Sequence, residues 1–168
     1  SVLVNEKATT IFEGGAYDFT SPDKARAMGF IGGTESNGIV VFSYGFIQGM
    51  QYEAEKLGVT YDYYTKYDAG FTDTATGSTT AGTFYNNGAN IVFVAAGGVG
   101  TGVTSKAKEM GKLAIEVDAD KDDDQPGYIL TSVLKRTDVP ADTLCRALGD
   151  GTLSDAERIQ YYDLSSGA

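Results

Sequence analysis

The sequence predicts an α/β fold in which helices cover both faces of a parallel sheet, a three-layer sandwich. Short apolar runs of strand length alternate with longer stretches whose apolar residues recur at helical spacing. The run Ile91–Ala96 is almost continuously apolar, which is typical of a buried strand in a parallel sheet. The chain has 168 residues, 42% of them hydrophobic, which is enough for one domain with a real core.

The first part of the chain is predicted to lead into this sheet. Ser1–Val4 has the composition of a short strand and Glu6–Tyr17 that of a helix, with a turn at residues 20–23. Ala27–Ile31 is an apolar run of strand length that two glycines stop. Apolar residues then recur at helical spacing from Gly38 to Leu57, which predicts a long helix.

The remaining elements follow the same alternation. Gly58, Gly88 and Gly111 stand where helices are expected to end, because glycine adopts the left-handed conformation that closes a helix. In chain order, the predicted elements are strand Val59–Tyr67, a helix over 75–87, strand Ile91–Ala96, helix Val103–Met110, strand Leu113–Val117, strand Tyr128–Leu134 and helix Val139–Leu148.

The domain organisation predicted from this pattern is a single lobe over 1–168. Residues 1–26 supply the leading strand, helix and crossover, 27–149 the core, and 150–168 a tail. Neither an internal repeat nor a linker interrupts the alternation of elements.

The composition argues against several classes of function. The formal net charge is −10 and the 13 basic residues are scattered, so we expect no nucleic-acid partner. There is no histidine and only one cysteine, so a Cys/His metal site is not expected, and neither is a cofactor. Cys145 falls at an apolar position of a predicted helix and is expected to be a buried thiol. No apolar run reaches the length of a membrane span, and no signal peptide is evident.

The predicted strand ends select the candidate site. Ligands of open parallel sheets bind beyond the carboxyl ends of the strands. Phe42 lies early in the helix after the first sheet strand, Gly97 and Gly98 follow Ile91–Ala96, and Asp118 and Lys135 follow the next two strands. These groups suit a neutral polar ligand with a ring, since an aromatic face can stack on it and a carboxylate can accept from its hydroxyl groups.

Each of these groups also has a simpler interpretation. Gly97–Gly102 matches a dinucleotide-binding loop only loosely. It could also be a tight turn against a ligand, or a turn that merely separates a strand from a helix. The acidic run that begins at Asp118 lacks the glycine and glutamate of a calcium loop, so it is expected to be mostly a solvated turn without a metal. Asp118 and Lys135 could form a structural ion pair, and Phe42 could belong to the core.

Six segments together resemble the basic membrane protein family, the purine nucleoside receptor A-like substrate-binding lipoproteins of ABC transporters. They occur in the family's order and at its spacing. The segments are Gly29–Gly33, Phe42–Gly49, Asn86–Phe93, Ala95–Gly102, Val117–Asp120 and Leu130–Arg136.

This resemblance implies one lobe of a type I periplasmic-binding-protein-like fold and an extracytoplasmic, lipid-anchored receptor that is not an enzyme. Such a receptor holds a nucleoside, here a purine nucleoside, between two lobes and delivers it to an ABC permease. Carried over by position, Phe42 would stack on the base and Gly97 and Gly98 would lie against the ligand. Asp118 would accept the ribose hydroxyls and Lys135 would contact the polar edge.

The chain departs from the family pattern in three respects. The family's amino-terminal lobe has no counterpart, so it or a second copy of this chain would have to complete the pocket, and the tail over 150–168 would return towards it. Glu116 stands where the family usually has glycine, and Lys121 where glutamine is expected. Two other functions stay open: a nucleoside-sensing regulatory lobe, and a flavodoxin-like enzyme that uses Asp118 as a base on a nucleoside.

Overall fold

The computed structural model describes residues 1–11, 25–156 and 158–162. Its elements in chain order are helix α1 (Val2–Ile11), strand β1 (Ala27–Gly32), helix α2 (Asn37–Leu57), strand β2 (Asp62–Lys66), helix α3 (Thr74–Asn86), strand β3 (Ala89–Ala95), helix α4 (Val99–Met110), strand β4 (Leu113–Asp118), strand β5 (Ile129–Leu134), helix α5 (Asp138–Gly149) and a 3-10 turn (Leu153–Asp155). The predicted turn at 20–23 and residues 12–17 of the first predicted helix lie outside the described residues.

The chain divides into two compact units, Ser1–Val133 and Leu134–Ala168. The first unit holds α1 to α4 and the sheet, and the second holds α5 and the 3-10 turn. In the second unit Cys145 is exposed, so the prediction of a buried thiol was wrong. The helix itself was predicted correctly, but none of its residues is buried and Leu148 keeps 66% of its surface exposed.

The sheet confirms the predicted α/β fold. Its strand order is β2-β1-β3-β4-β5, and the pairs β1–β2, β1–β3 and β3–β4 are parallel. All seven residues of β3 are buried, as its apolar run predicted, since this strand lies at the centre of the sheet with helices over both faces.

Side chains alternate between the two faces of the sheet. On one face, Val92 and Val94 of β3 share a core with residues of α3 and α4, among them Phe84 and Val103. On the other face, Phe93 meets Phe46 of α2 with ring centroids 5.3 Å apart. Because successive side chains of a strand point to opposite faces of the sheet, the uninterrupted apolar run of β3 contributes to two separate cores.

Helices α3 and α4 approach each other closely because glycines face the contact. A Cβ on Gly102 would overlap the carbonyl oxygen of Thr74, and one on Gly77 would overlap that of Val99. Gly100 and Gly102 therefore lie inside α4, which begins at Val99. The prediction that the helix starts at Val103 after a loop was wrong, because Gly102 packs against α3 and Gly100 makes room for Glu116 of β4.

The first residues of the chain are helical, so the predicted strand Ser1–Val4 was wrong. Val2 is buried in a core with Met28 and Met50, so its apolar side chain packs into the core from a helix and not from a strand. A run of four apolar residues is too short to distinguish a buried helix turn from a strand.

A chain of polar contacts fixes α1 at the amino ends of the strands. Asn90 at the start of β3 donates to Asn5 Oδ1 over 2.7 Å, and Asn5 donates to the Tyr61 hydroxyl over 2.8 Å. Tyr61 in turn donates to Glu6, which also accepts from Arg26. Burial raises the pKa of Tyr61 well above its usual value, so this hydroxyl keeps its proton and remains a donor.

In the described part of the chain, no helix is long and apolar enough to span a membrane.

Candidate functional site

The candidate site lies at the edge of the sheet where its parallel strands end. β1 ends in Gly32, β3 is followed by Gly97 and Gly98, and β4 ends in Asp118. Because β1, β3 and β4 are neighbours in the sheet and run in the same direction, the structure places these strand ends side by side. This is the position at which open α/β sheets bind their ligands.

Asp118 occupies an unusual backbone conformation. Its φ is +76°, and it is the one non-glycine residue with a positive φ in the described part of the chain. The Ala119 N–H donates to the Val117 carbonyl oxygen over 3.0 Å, so the chain makes a three-residue γ-turn centred on Asp118. Such a conformation costs on the order of 1–3 kcal/mol, and residues that keep it are concentrated at functional sites. The five preceding residues of β4 are buried whereas Asp118 is exposed, so the turn presents its carboxylate at the strand end.

Gly97 and Gly98 form the tight turn between β3 and α4. Gly97 has φ +53°, which favours glycine. The Gly98 N–H donates to the carbonyl oxygen of Phe71 over 2.8 Å. This amide is therefore already used inside the protein, and what the glycine pair offers a ligand is a surface without side chains.

Phe71 is a site residue that the sequence analysis missed. It lies in the loop between β2 and α3, and a Cβ on Gly33 would overlap its ring. Its side chain remains 47% exposed, and its carbonyl oxygen packs on both Gly97 and Gly98. The signal in the sequence was a single aromatic residue in an otherwise polar and glycine-containing loop after a predicted strand.

Phe42 contributes both to the core and to an open groove. Its ring meets Phe93 edge to face at 6.3 Å, which accounts for its partial burial. The rest of the side chain lines a groove of about 430 Å³, here called the α2 groove. The groove is lined by Ser1, Val41, Phe42, Gly45, Phe46, Phe93, Ile115, Thr131 and Val133. Phe42 is thus available to an apolar or aromatic partner. Its contact with Phe93 would by itself also account for an aromatic residue at this position.

Lys135 lies just beyond β5, in the second of the two units, and is exposed. The four other predicted site residues all belong to the first unit. The ion pair between Asp118 and Lys135 therefore stays a prediction. Among the described residues, no group of three or more acidic or cysteine side chains is arranged to hold a metal ion.

An ion pair joins the strand that ends in Asp118 to the loop that follows it. Glu116 is only 2% exposed, and its Oε2 accepts from the Lys121 ammonium over 3.0 Å. Burial raises the pKa of Glu116, while the hydrogen bond from Lys121 opposes that rise. The pairing of these two residues was not predicted from the sequence.

Comparisons with known proteins place this geometry in context. The family described as "ABC transporter substrate-binding protein PnrA-like" matches residues 23–168. "Basic membrane protein D" of Borreliella burgdorferi is 32% identical over 124 residues, which cover 73% of this chain and 35% of that protein. "ABC transporter nucleoside-binding protein BmpA" of Lactococcus lactis is 30% identical over 161 residues, which cover 86% of this chain and 44% of that protein. The chain therefore spans less than half the length of these relatives.

Two further similarities bear on fold and function. A crystal structure of an ABC transporter solute-binding protein from Aeropyrum pernix K1 superposes with a TM-score of 0.69 at 26% identity, over 77% of this chain and 36% of that one. "Transcriptional activator protein med" of Bacillus subtilis is 30% identical over 155 residues, which cover 84% of this chain and 47% of that protein. The resemblance noted from the six sequence segments is thereby confirmed.

Proposed function

Because this chain belongs to the PnrA-like family of ABC transporter substrate-binding proteins, we propose that it supplies one lobe of a receptor that captures a nucleoside. The ligand class is a purine nucleoside, and the receptor acts outside the cytoplasm, anchored to the membrane by a lipid, for an ABC importer. A relative named as a nucleoside-binding protein supports the ligand class.

The observation that carries the proposal is the γ-turn at Asp118. The turn presents an exposed carboxylate at the end of a buried strand, beside the side-chain-free surface of Gly97 and Gly98. A carboxylate can accept hydrogen bonds from two adjacent hydroxyl groups, which is the pattern that a ribose offers. An aromatic side chain stacks on a base, and Phe42 and Phe71 are the candidates for that role.

The other half of the pocket comes from a second lobe. This chain spans 44% of the nucleoside-binding relative, so an amino-terminal lobe of a longer protein, or a second copy of this chain, would close over the ligand. Contacts from both lobes would then stabilise a closed state, and the permease would recognise that state. In this mechanism Lys135 contacts the polar edge of the ligand, and no bond of the ligand is made or broken.

The test is a calorimetric titration of adenosine, guanosine, inosine, cytidine and uridine into the product of the whole gene and into this chain alone. We expect saturable binding of a purine nucleoside by the whole product. Replacement of Asp118 by asparagine should weaken binding about 10- to 100-fold, because a charged hydrogen-bond acceptor is lost. The replacement Asp123→Asn removes the same charge from the same loop and should leave the affinity within about twofold. Absence of binding by a folded whole product would refute the nucleoside assignment.

A second candidate function is supported by the similarity to a transcriptional activator. In that case the lobe would bind its ligand in order to signal and would not deliver it to a permease. The two functions predict the same binding curve, so the discriminating experiment is deletion of the gene, with nucleoside uptake and transcription as the two readouts. If the protein is a transport receptor, deletion of its gene should abolish uptake of radiolabelled nucleoside by the cells. If it is a sensor, the deletion should alter transcription and leave uptake intact.

The third candidate is an enzyme that uses Asp118 as a base. It has less support, since two of the similar proteins are named as a nucleoside-binding protein and a solute-binding protein of ABC transporters. Incubation of the whole product with inosine or adenosine, followed by chromatography, tests it directly. We expect the nucleoside to be recovered intact. Release of a free base at a rate that depends on Asp118 would establish the enzyme instead.

A further inference from the structure

The strand that ends in Asp118 contains a carboxylate that the proposed ligand contact does not use. Glu116 lies two residues before Asp118, and its side chain is 2% exposed. It points towards the first turn of α4, where a Cβ on Gly100 would lie 2.5 Å from the glutamate Oε1. The glycine therefore makes room for this carboxylate. A buried carboxylate is costly unless a partner balances its charge.

Lys121 is that partner, and it comes from the loop that follows Asp118. Its ammonium donates to Glu116 Oε2 over 3.0 Å. Its main-chain N–H donates to the Ser132 hydroxyl oxygen over 3.0 Å, and that hydroxyl donates to Asp122 over 2.7 Å. Lys121 thus connects the loop to β4 through its side chain and to β5 through its backbone.

The two partners lie on either side of the γ-turn in the sequence. Asp118 has a φ of +76°, a conformation that an aspartate keeps only when its surroundings hold it there. The contact between Glu116 and Lys121 closes a short ring of chain that contains this turn. Because one end of the ring is fixed in a buried strand, the ion pair restricts where the Asp118 carboxylate can lie.

We propose that the ion pair between Glu116 and Lys121 is a positioning device that holds the Asp118 turn in the geometry needed for the ligand. This inference rests on the proposed function of Asp118 as a ligand contact. Neither Glu116 nor Lys121 touches the ligand in this proposal.

The test is a double-mutant cycle in the product of the whole gene, with calorimetric affinity for the bound nucleoside as the first readout. Glu116→Gln and Lys121→Gln should each weaken binding about tenfold. The double variant should lose about tenfold and not a hundredfold, because the second change has nothing left to disrupt. Lys121→Arg should restore most of the affinity, since arginine can also pair with a buried carboxylate.

The matched control is Glu109→Gln, which removes the same charge from an exposed ion pair with Lys106 on α4. It should not change the affinity. The variants at the pair are expected to fold, because a cavity of about 230 Å³ borders both residues. Water in this cavity hydrates the Lys121 ammonium in Glu116→Gln and the Glu116 carboxylate in Lys121→Gln. Circular dichroism and a thermal melt confirm folding before any titration.

Amide hydrogen exchange in this chain gives a second readout that needs no ligand. The Lys121 N–H donates to the Ser132 hydroxyl of β5, and the Asp124 N–H donates to the Lys121 carbonyl oxygen within the loop. Both should exchange about tenfold faster in the single variants. Faster exchange with unchanged affinity would overturn the positioning role, and weaker affinity with unchanged exchange would overturn the restraint on the loop. If the parent protein binds no nucleoside, the proposed function fails, and unchanged exchange would then separately overturn the restraint.

Discussion

Gly102 of α4 faces the main-chain carbonyl oxygen of Thr74 of α3 with no room for a side chain between them. This contact lets the two helices that cover one face of the sheet pack side by side. It also places the first turn of α4 next to the strand ends where the candidate site lies.

We expect Gly102→Ala to destabilise the protein by about 1–3 kcal/mol, as is usual when a methyl group is forced into a packed contact. The matched control is Gly49→Ala in α2, where a Cβ would meet nothing within 4 Å. That variant should be stabilised by about 0.5–1 kcal/mol, because alanine favours a helix more than glycine does. Urea denaturation measures both changes. Equal stabilisation of the two variants would contradict the close approach of the helices.

Asp118→Gly should maintain or raise the stability of the protein while it removes the carboxylate. Glycine adopts the positive φ at this position without the steric cost that aspartate bears. Asp118→Ala loses the same carboxylate but keeps the strain, so it should be less stable than the glycine variant by about 1 kcal/mol. The comparison needs only thermal or urea unfolding of the two variants.

The control for this pair is Asp123→Gly in the same loop, where φ is not positive. Here glycine gains no relief of strain and adds freedom to the unfolded chain, so a loss of about 0.5–1 kcal/mol is expected. If Asp118→Gly and Asp123→Gly lose stability equally, the γ-turn is not strained.

Asp73 should stabilise α3 at neutral pH, and this stabilisation should be lost in acid. Its carboxylate accepts hydrogen bonds from the Thr76 hydroxyl and from the amides of Thr76 and Ala75, and these bonds lower its pKa from the ordinary value of 3.8. A lowered folded-state pKa means that the stabilisation is fully present above pH 3.8 and is lost as the pH falls through the folded value.

The difference in urea midpoint between the wild type and Asp73→Ala should therefore be constant near neutral pH and shrink in acid. Thr76→Val removes one of the donors and keeps the carboxylate, so it should show an intermediate loss. A difference that does not depend on pH would mean that the carboxylate does not cap the helix as a charged group.

Glu116 should produce a pH dependence of the opposite sign. Burial raises its pKa above 4.5, the Lys121 hydrogen bond opposes the rise, and the nearby Asp124 charge adds to it, while α4 faces the carboxylate with the uncharged Gly100. A raised folded-state pKa means that protonation favours the folded state. The resulting stability is present below pH 4.5 and is lost as the pH rises through the folded value.

Relative to Glu116→Gln, the wild type should thus lose stability as the pH rises from 4.5 through the raised pKa. Lys121→Met should extend this loss to higher pH, because the opposing hydrogen bond is gone. Urea midpoints measured between about pH 4 and pH 8 provide the test. Parallel profiles for all three proteins would show that Glu116 titrates as it does in the unfolded chain.

The sequence predicted the centre of the sheet well because the central strands β1, β3 and β4 are buried on both sides. Continuous apolar runs such as Ile91–Ala96 fit a parallel strand, and the structure has β3 there. The ends of two helices were also predictable. Gly58 and Gly111 both adopt the left-handed conformation that closes a helix, with φ of +66° and +63°.

The errors arose where the same residue type serves two purposes. All the glycines of Gly97–Gly102 suggest a loop. Two of them lie in α4 instead, where Gly102 lets α4 pack against α3 and Gly100 makes room for Glu116. Cys145 was expected to be buried from its apolar neighbours, and it is exposed because α5 buries none of its residues in the described structure.

The candidate site could be predicted only in part. The rule for strand ends selects Gly97, Gly98 and Asp118 from the sequence alone. Phe71 was missed because its position depends on how a loop folds back over the glycines. The pairing of Glu116 with Lys121 depends on the γ-turn between them, which nothing in the local sequence specifies.

The polar contacts at the amino ends of the strands have a consequence for the order in which the chain folds. Asn5 is held by Asn90, a partner 85 residues further along the chain. A contact over such a separation forms only after a long loop has closed, which slows folding. During synthesis α1 leaves the ribosome before β3, so it cannot be fixed until β3 has been made. A segment that is synthesised early therefore waits for more than half of the described chain before it reaches its final place.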